Sequence, residues 1–476
     1  MTSQRRVAVV GAGISGLAVA WWLHRSGIEV IVLEKDDQVG GTMKTLQDNG
    51  WLVEQGPNSA LETTPLFSTM FEQLGLLNHL KYANPSAKKR YILRGGRIHV
   101  LPMSPLSFLF SPLWSPGGKL QLLKEPFIGK SDKEESVAEF VARRLGREFL
   151  DYAVNPFVGG VFAGNPEELS VQTAFPKLYA LEKNHGGLIK GMIKGRKERA
   201  ARSETAKDRA RMFSFSGGMQ ILPLYLAHAL EGRVLTQCRV TGIDKRVPDY
   251  SNGLYSIRYS LAGTASSAEV DAVVLCVPAR AAANLIKGFS GPLATRLEEI
   301  SYPPLAEVFL GFRGDQIGNS LDGFGFLVPG KEKRQILGTI WSSSLFAGRA
   351  PAGHVALTTF VGGSRQPELV AREDSDLIRL VTDELRSIIG VKGDPVFSRI
   401  TKWKEAIPQY RLGYGNVLAS LDEFEMQNPG MYFCCNYRNG ISVGDCVMSS
   451  ERVASRIRTS LEHPKMREMK NGAIVS

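Results

Sequence analysis

The amino-acid sequence predicts a mixed α/β and α+β chain: a parallel-sheet nucleotide domain assembled from discontinuous segments, a mixed-sheet domain covering it, and a mainly helical insertion. Three observations point there. The N-terminus reads RRVAVVGAGISGLAVAWWLHRSGIEVIVLEK, a strand, glycine turn, helix, strand and acid in immediate succession. Two further buried runs, DAVVLCVPA and PGMYFCC, lie far downstream and fit strands near the first unit, so the chain leaves this domain and returns. Between them AEVFLGF, GFGFLVP, ILGTIW and VALTTFVGG alternate with turns, as in a mainly antiparallel sheet.

In the first unit 6–10 is a buried strand, 14–25 a helix ended by Gly27, and 29–33 a second strand that delivers Glu34 to a ribose hydroxyl pair. Gly11, Gly13 and Gly16 supply the tight turn, the close approach to a pyrophosphate and the helix-on-strand packing, with Ile14 and Ser15 opening the helix at the phosphates. An acid at Glu34 favours an unphosphorylated ribose. A bare G-x-G-x-x-G is a weak signal. Here the strand before it, the helix after it and the acid at the second strand's end make a Rossmann-like dinucleotide site.

At 476 residues and 43% hydrophobic, the chain is long enough for two or three lobes. Its five cysteines are odd in number and lack C-x-x-C spacing, and its seven histidines form no H-E-x-x-H cluster, which implies a reducing compartment and no metal. No cleavage signal follows the apolar stretch 7–19, and no apolar run is long enough to span a bilayer. The expected location is the cytoplasmic side of a bacterial membrane, or an organelle if a leader has been trimmed. The formal charge of +11 points to an anionic partner: nucleic acid, an acidic membrane or a carboxylate-bearing substrate. Its densest part, 190–212, reads as a solvated helix or linker, and no nucleic-acid module accompanies it, so nucleic acid is not expected.

After Glu34, Gly40 and Gly41 allow a second close backbone approach and Gly56-Pro57-Asn58-Ser59 forms a tight turn. From 84 to 130 prolines interrupt an apolar, aromatic stretch that cannot be one helix. Phe108, Leu109, Phe110, Leu113 and Trp114, with Lys88, Lys89, Arg90, Arg94, Arg97, Lys119 and Lys124 nearby, read either as an interfacial membrane patch or as a local core with the helix at 137–145. A helix is expected at 375–389, and a final helix after the turn at Gly440.

Together the fingerprint, NPFVGGVFAGNPEELSVQTAFPKLYALEK, FSFSGGMQ, GFGFLVP, TTFVGGSR and NYRNGISVGDC resemble the oxygen-dependent protoporphyrinogen oxidases over nearly the whole chain. The resemblance implies FAD as cofactor, oxidation of protoporphyrinogen IX to protoporphyrin IX with O2 as acceptor in haem or chlorophyll synthesis, and a membrane-associated lobe. It implies an FAD-binding domain from 1–83, 205–285 and 400–476, a helical membrane-associated lobe from 84–204 and a substrate-binding domain from 286–399. On the flavin side it places Lys35, Gly41, Thr42, Gly56, Pro57, Asn58, Ser59, Val240, Trp403, Ile441, Ser442 and Val443, with Gly11, Gly13, Ile14, Ser15, Gly16 and Glu34 already read from the fingerprint. On the substrate side it places Arg90 on a propionate, with Gly160, Val308, Phe324 and Trp341 around the ring. No residue is expected to act as acid or base, because the flavin is the hydride acceptor. The stretch TKWKEAIPQYRLGYG holds no cysteine or histidine, so the FAD is expected to be non-covalent. Two departures stand out: Lys44 is the cation near the second glycine motif, where relatives often carry arginine, and Trp341 is larger than usual. The expected partners are a porphyrinogen, O2, a membrane surface held peripherally and a second copy of the chain. The competing readings are coproporphyrinogen III oxidation, an amine oxidase or carotenoid desaturase, and a flavin-bearing membrane module without turnover.

Overall fold

The computed structural model describes residues 5–194, 210–246 and 254–462. The nucleotide domain is a five-stranded parallel sheet in the order Val234–Leu235, Glu29–Leu33, Arg6–Val10, Ala272–Leu275, Met431–Phe433. Its strands are runs of valine, leucine and alanine because both faces are covered. On one face the helix Ile14–Arg25 packs with Ile221–Ala229 and the closing helix Val443–Glu462. On the other lie Ala279–Ile286, Gly291–Glu298 and Tyr414–Gln427, with the antiparallel meander Cys238–Lys245, Tyr255–Leu261, Thr264–Val270.

A seven-stranded mixed sheet runs in the order Phe397–Trp403, Leu305–Arg313, His354–Gly362, Gly338–Ile340, Gly325–Leu327, Tyr91–Arg94, Arg97–Val100. Its pairings are antiparallel except that of Gly325–Leu327 with Tyr91–Arg94. Paired residues share a face, so the register sorts the side chains. Ala306, Val308, Leu310 and Phe312 pack under the helix Asp374–Ile389. Leu305, Glu307 and Phe309 point the other way, towards the nucleotide domain and the helical lobe.

The segment expected to open the helical lobe at residue 84 differs. YILR and RIHV flank Gly95 and Gly96, both at positive φ (59° and 74°), and so close a two-residue hairpin on the edge of the mixed sheet. Conversely, 279–298 forms two helices before the sheet begins.

The lobe's helices include Val137–Leu145, Asn155–Phe162 and Pro176–His185. They are tied by buried Arg144, whose guanidinium bonds Glu125 at 3.1 Å and Glu182 at 2.7 Å. The aromatic stretch divides: Leu113 and Trp114 are buried, with Trp114 stacked on Phe149 at 4.7 Å, and Phe108 is partly buried beside them. Leu109 and Phe110 are exposed, with Leu106, Leu120, Leu123 and Phe127. Of the basic run 190–212, residues 195–209 lie outside the described residues, as does the expected boundary at 204/205. Among the described residues no helix is long and apolar enough to cross a membrane.

Candidate functional site

The site begins at the N-terminal glycine turn. Gly11 holds φ 100°, and a Cβ on Gly16 would collide with the Gly11 carbonyl, so the turn closes only with glycine at both positions. A Cβ on Gly13 would meet nothing within 4 Å, which leaves this face of the turn open to a ligand. Glu34 is buried: its Oε2 accepts from the Ala12 amide at 2.6 Å and its Oε1 from Asp36 at 3.0 Å. The acid is thereby aimed along the turn rather than into solvent. The Glu34 carbonyl accepts from Cys238, placing Val240, on the same strand, beside it, while Lys35 is exposed.

A continuous trail of backbone leads away from the turn. The Gly40 amide donates to Ala12 at 2.8 Å, and a Cβ on Gly41 would stand 3.3 Å from the Gly13 Cα. A Cβ on Gly56 would collide with the Thr42 carbonyl, so the second glycine motif and the Gly56–Ser59 turn lie directly against each other. Asn58 donates to the Gly56 carbonyl at 3.1 Å, and the Trp403 indole to the Gln55 carbonyl at 2.9 Å. At the far side the closing helix begins at Val443, where Ser442 Oγ donates to Asp445 at 2.5 Å, Ile441 is partly buried, and Cys446 lies against Ser15. Backbone contacts thus link the glycine turn, the second glycine motif and the Gly56–Ser59 turn, and the last of these adjoins Trp403 of the mixed sheet.

Two buried carboxylates absent from the sequence expectations, Glu54 and Glu307, stand beside Asn58 and Trp403. Glu54 accepts from Thr45 Oγ1 at 2.7 Å and from the Met219 amide at 3.0 Å, and pairs with Arg349 at 3.2 Å, yet burial pushes its pKa up to about 7. Glu307 is 5% exposed, and its Oε2 atom has no hydrogen-bond partner. Burial drives its pKa well up, with Trp403 and Asn58 pulling the other way and Glu54 adding to the rise. The signal was a lone acid in the otherwise apolar strand LAEVFLGF.

The row of cross-strand neighbours Glu307, Phe360, Gly338 and Leu327 crosses the sheet on this face. Phe360 and Leu327 are half-buried, as are Ile340 and Phe324, and a Cβ on Gly160 would strike Leu327, bringing the lobe's helix against the row. Val308 and Trp341 are instead fully buried in the core beneath Asp374–Ile389. The correction follows from the period of two: a residue next to a wall residue in a strand points to the opposite face. Their neighbours Glu307 and Ile340 take the open side.

Arg90 lies at the edge of this wall, its guanidinium 5.7 Å from the Phe324 ring centroid. It is half-buried, and burial lowers its pKa. Neighbouring Lys89 and Tyr91 both bond Asp322, each at 2.5 Å, whereas Arg90 has no carboxylate partner among the described residues. An uncompensated cation beside apolar walls suits a largely apolar ligand that brings its own carboxylate.

These residues fit a flavin dinucleotide: the turn is open where Gly13 faces out, the acid at the end of the second strand is held against the turn by the Ala12 amide, and the buried Glu307 Oε2 has no partner from the chain. Among the described residues no group of side chains could hold a metal ion. Residues 14–458 match the model of the flavin containing amine oxidoreductase family. The chain is 35% identical to protoporphyrinogen oxidase 2, chloroplastic/mitochondrial, of Arabidopsis thaliana, over 97% of this chain and 95% of that one. It is 26% identical to the coproporphyrinogen III oxidase of Bacillus subtilis, over 96% and 99%. Cyclohexylamine oxidase from Brevibacterium oxydans shares the fold, with a TM-score of 0.68 at 17% identity, covering 96% of this chain and 100% of that one.

Proposed function

Since the chain belongs to the flavin containing amine oxidoreductases and, within them, to the protoporphyrinogen oxidases, we propose that it oxidises protoporphyrinogen IX to protoporphyrin IX, with FAD held non-covalently and O2 as acceptor. The observation that carries this is Arg90, a half-buried cation without a carboxylate partner among the described residues, at the rim of the apolar wall Phe324, Leu327, Ile340 and Phe360. FAD, when bound, supplies the electron acceptance that no side chain can. Arg90 then holds a propionate, and a planar guanidinium fits it with two parallel bonds. The wall and Gly160 enclose the macrocycle and keep water from it, and Asn58, Trp403 and the Gly56–Ser59 turn fix the cofactor's position relative to it. Val308 and Trp341 support the sheet from behind and have no place in this pocket.

The coproporphyrinogen III reading has one observation in its favour. Arg365, a second arginine without a carboxylate partner among the described residues, donates to the Val328 carbonyl at 2.9 Å and to Asn155 at 3.2 Å beside Gly159, and burial lowers its pKa to about 10. It would suit extra propionates. The test is aerobic turnover with protoporphyrinogen IX, coproporphyrinogen III and a polyamine in parallel, following porphyrin fluorescence and peroxide. The proposal expects the highest kcat/KM with protoporphyrinogen IX; coproporphyrinogen preference reverses the substrate assignment, polyamine turnover favours an amine oxidase, and no turnover favours a binding module.

The finer placement is also a proposal. The exposed Leu106, Leu109, Phe110, Leu120, Leu123 and Phe127, near Lys119 and Lys124, form an apolar face with cations that suits peripheral attachment to an anionic membrane, on the inner face of a bacterial membrane or in an organelle. The division into FAD-binding, lobe and substrate-binding domains is kept with the hairpin at 91–100 counted with the substrate sheet. Self-association of two copies rests on the resemblance alone.

A further inference from the structure

Glu307 stands at the third position of the strand Leu305–Arg313, walled in by its register partners Phe360 and Thr401 and by Trp403 and Asn58. A buried polar atom left without a partner is costly enough that an empty valence this deep asks for a ligand. The Trp403 indole donates to Gln55 and the Asn58 amide to Gly56, and although both also reach towards the carboxyl, its Oε2 is left without a partner. The charged groups facing it are Glu54 and, paired to Glu54 at 3.2 Å, Arg349. Among the described residues no lysine, arginine or histidine forms an ion pair with Glu307, so its ionised form would lie buried beside another carboxylate with no counter-ion of its own. A neutral carboxyl has one O–H to donate, and it needs an acceptor.

The backbone trail from the glycine turn ends beside this position at Asn58 and Trp403, and the edge of an oxidised isoalloxazine ring carries several uncharged acceptors around one N–H donor. We propose that Glu307 is a positioning residue for the flavin: its protonated carboxyl donates one hydrogen bond to an acceptor on the ring edge and keeps that edge free of negative charge. This rests on the FAD reading and adds to it a group that the strand's own sequence set apart. The sign of the pH effect follows. As pH rises and Glu307 ionises, the hydrogen bond is lost and a negative charge appears beside the ring, so FAD binds less tightly and its reduction potential falls. Glu54 titrates nearby, and E54Q separates its share.

The test uses the full chain loaded with FAD. Flavin affinity and midpoint potential are measured from neutral to alkaline pH for wild type, E307Q, E307L and E54Q. A lost hydrogen bond of ordinary strength predicts a dissociation constant about tenfold higher for E307L at neutral pH. E307Q keeps a donor, so it stays near wild type at neutral pH and loses the alkaline weakening. The wild type alone supplies an independent reading: the infrared difference spectrum on flavin photoreduction should contain the carbonyl stretch of a protonated carboxylic acid. Unchanged affinity, potential and pH dependence in both Glu307 variants overturns the proposal, as does absence of that band, or an effect confined to the KM for porphyrinogen. A wild type that takes up no flavin overturns the FAD reading along with it.

Discussion

Replacing Arg90 with alanine tests the substrate pole of the site. Lys89 and Tyr91 are bonded to Asp322, so neither is free to take over the carboxylate. A hydrogen bond to a charged group contributes about 1.5–3 kcal/mol. Arg90 is half-buried rather than sealed, so solvent screening puts the expected loss at the lower end, about 2 kcal/mol or roughly thirtyfold in kcat/KM. Because the propionate is held equally in ground and transition states, the loss falls on KM with kcat unchanged. The assay is steady-state oxidation of protoporphyrinogen IX and of its dimethyl ester, which has no carboxylate to offer. R90A should lose thirtyfold with the diacid and little with the ester, and R90K should fall between, since it keeps the charge and loses the fork. An unchanged KM with the diacid, or an equal loss with the ester, would show that Arg90 does not hold the propionate.

Three further outcomes are expected. G16A should fold yet bind FAD poorly, because its Cβ meets the Gly11 carbonyl; full flavin loading, read by visible absorbance against far-UV circular dichroism, would contradict this. Glu54 has a folded pKa of about 7 against 4.5 ordinarily, a raised value, so its contribution to stability is complete below pH 4.5 and is lost as pH rises through 7. At about 1.4 kcal/mol per pH unit this amounts to about 3 kcal/mol, and denaturant titrations should show that slope in wild type and its absence in E54Q. Finally, the double variant L109S/F110S should reduce sedimentation with anionic liposomes without changing thermal stability, since both side chains are exposed; L113S should instead lower stability, because Leu113 is fully buried.

Much of the nucleotide domain was legible because its rules are local. The bounds Arg6–Val10, Ile14–Arg25 and Glu29–Leu33 coincide with those read from the apolar runs and glycines. The long helix starts one residue earlier than expected, at Asp374. What escaped depends on distant pairing. Nothing in YILRGGRIHV announces that Tyr91 lies beside Phe326, and a hairpin in a Pro-rich stretch reads from sequence as part of a helical lobe. The burial of Val308 and Trp341 escapes a sequence reading for a related reason. Val308 and Trp341 lie among apolar residues that fit either face of a covered sheet, so only the register reveals that Ile340 and Phe360 look into the open side. Hydride transfer to a cofactor demands no acid or base, so nothing in the chemistry points to Glu307 beyond its isolation in an apolar strand. The patch at 108–114 supports two readings from sequence; the structure buries Leu113 and Trp114 in a local core and leaves Leu109 and Phe110 exposed.

The most direct measurement is anaerobic mixing of the FAD-loaded protein with protoporphyrinogen IX in a stopped-flow cell, followed by admission of air. Bleaching of the oxidised-flavin band at a rate that saturates with substrate, then recovery of the band in air together with porphyrin fluorescence and peroxide, is the predicted result. A bound flavin that keeps its full absorbance with saturating porphyrinogen would contradict the account.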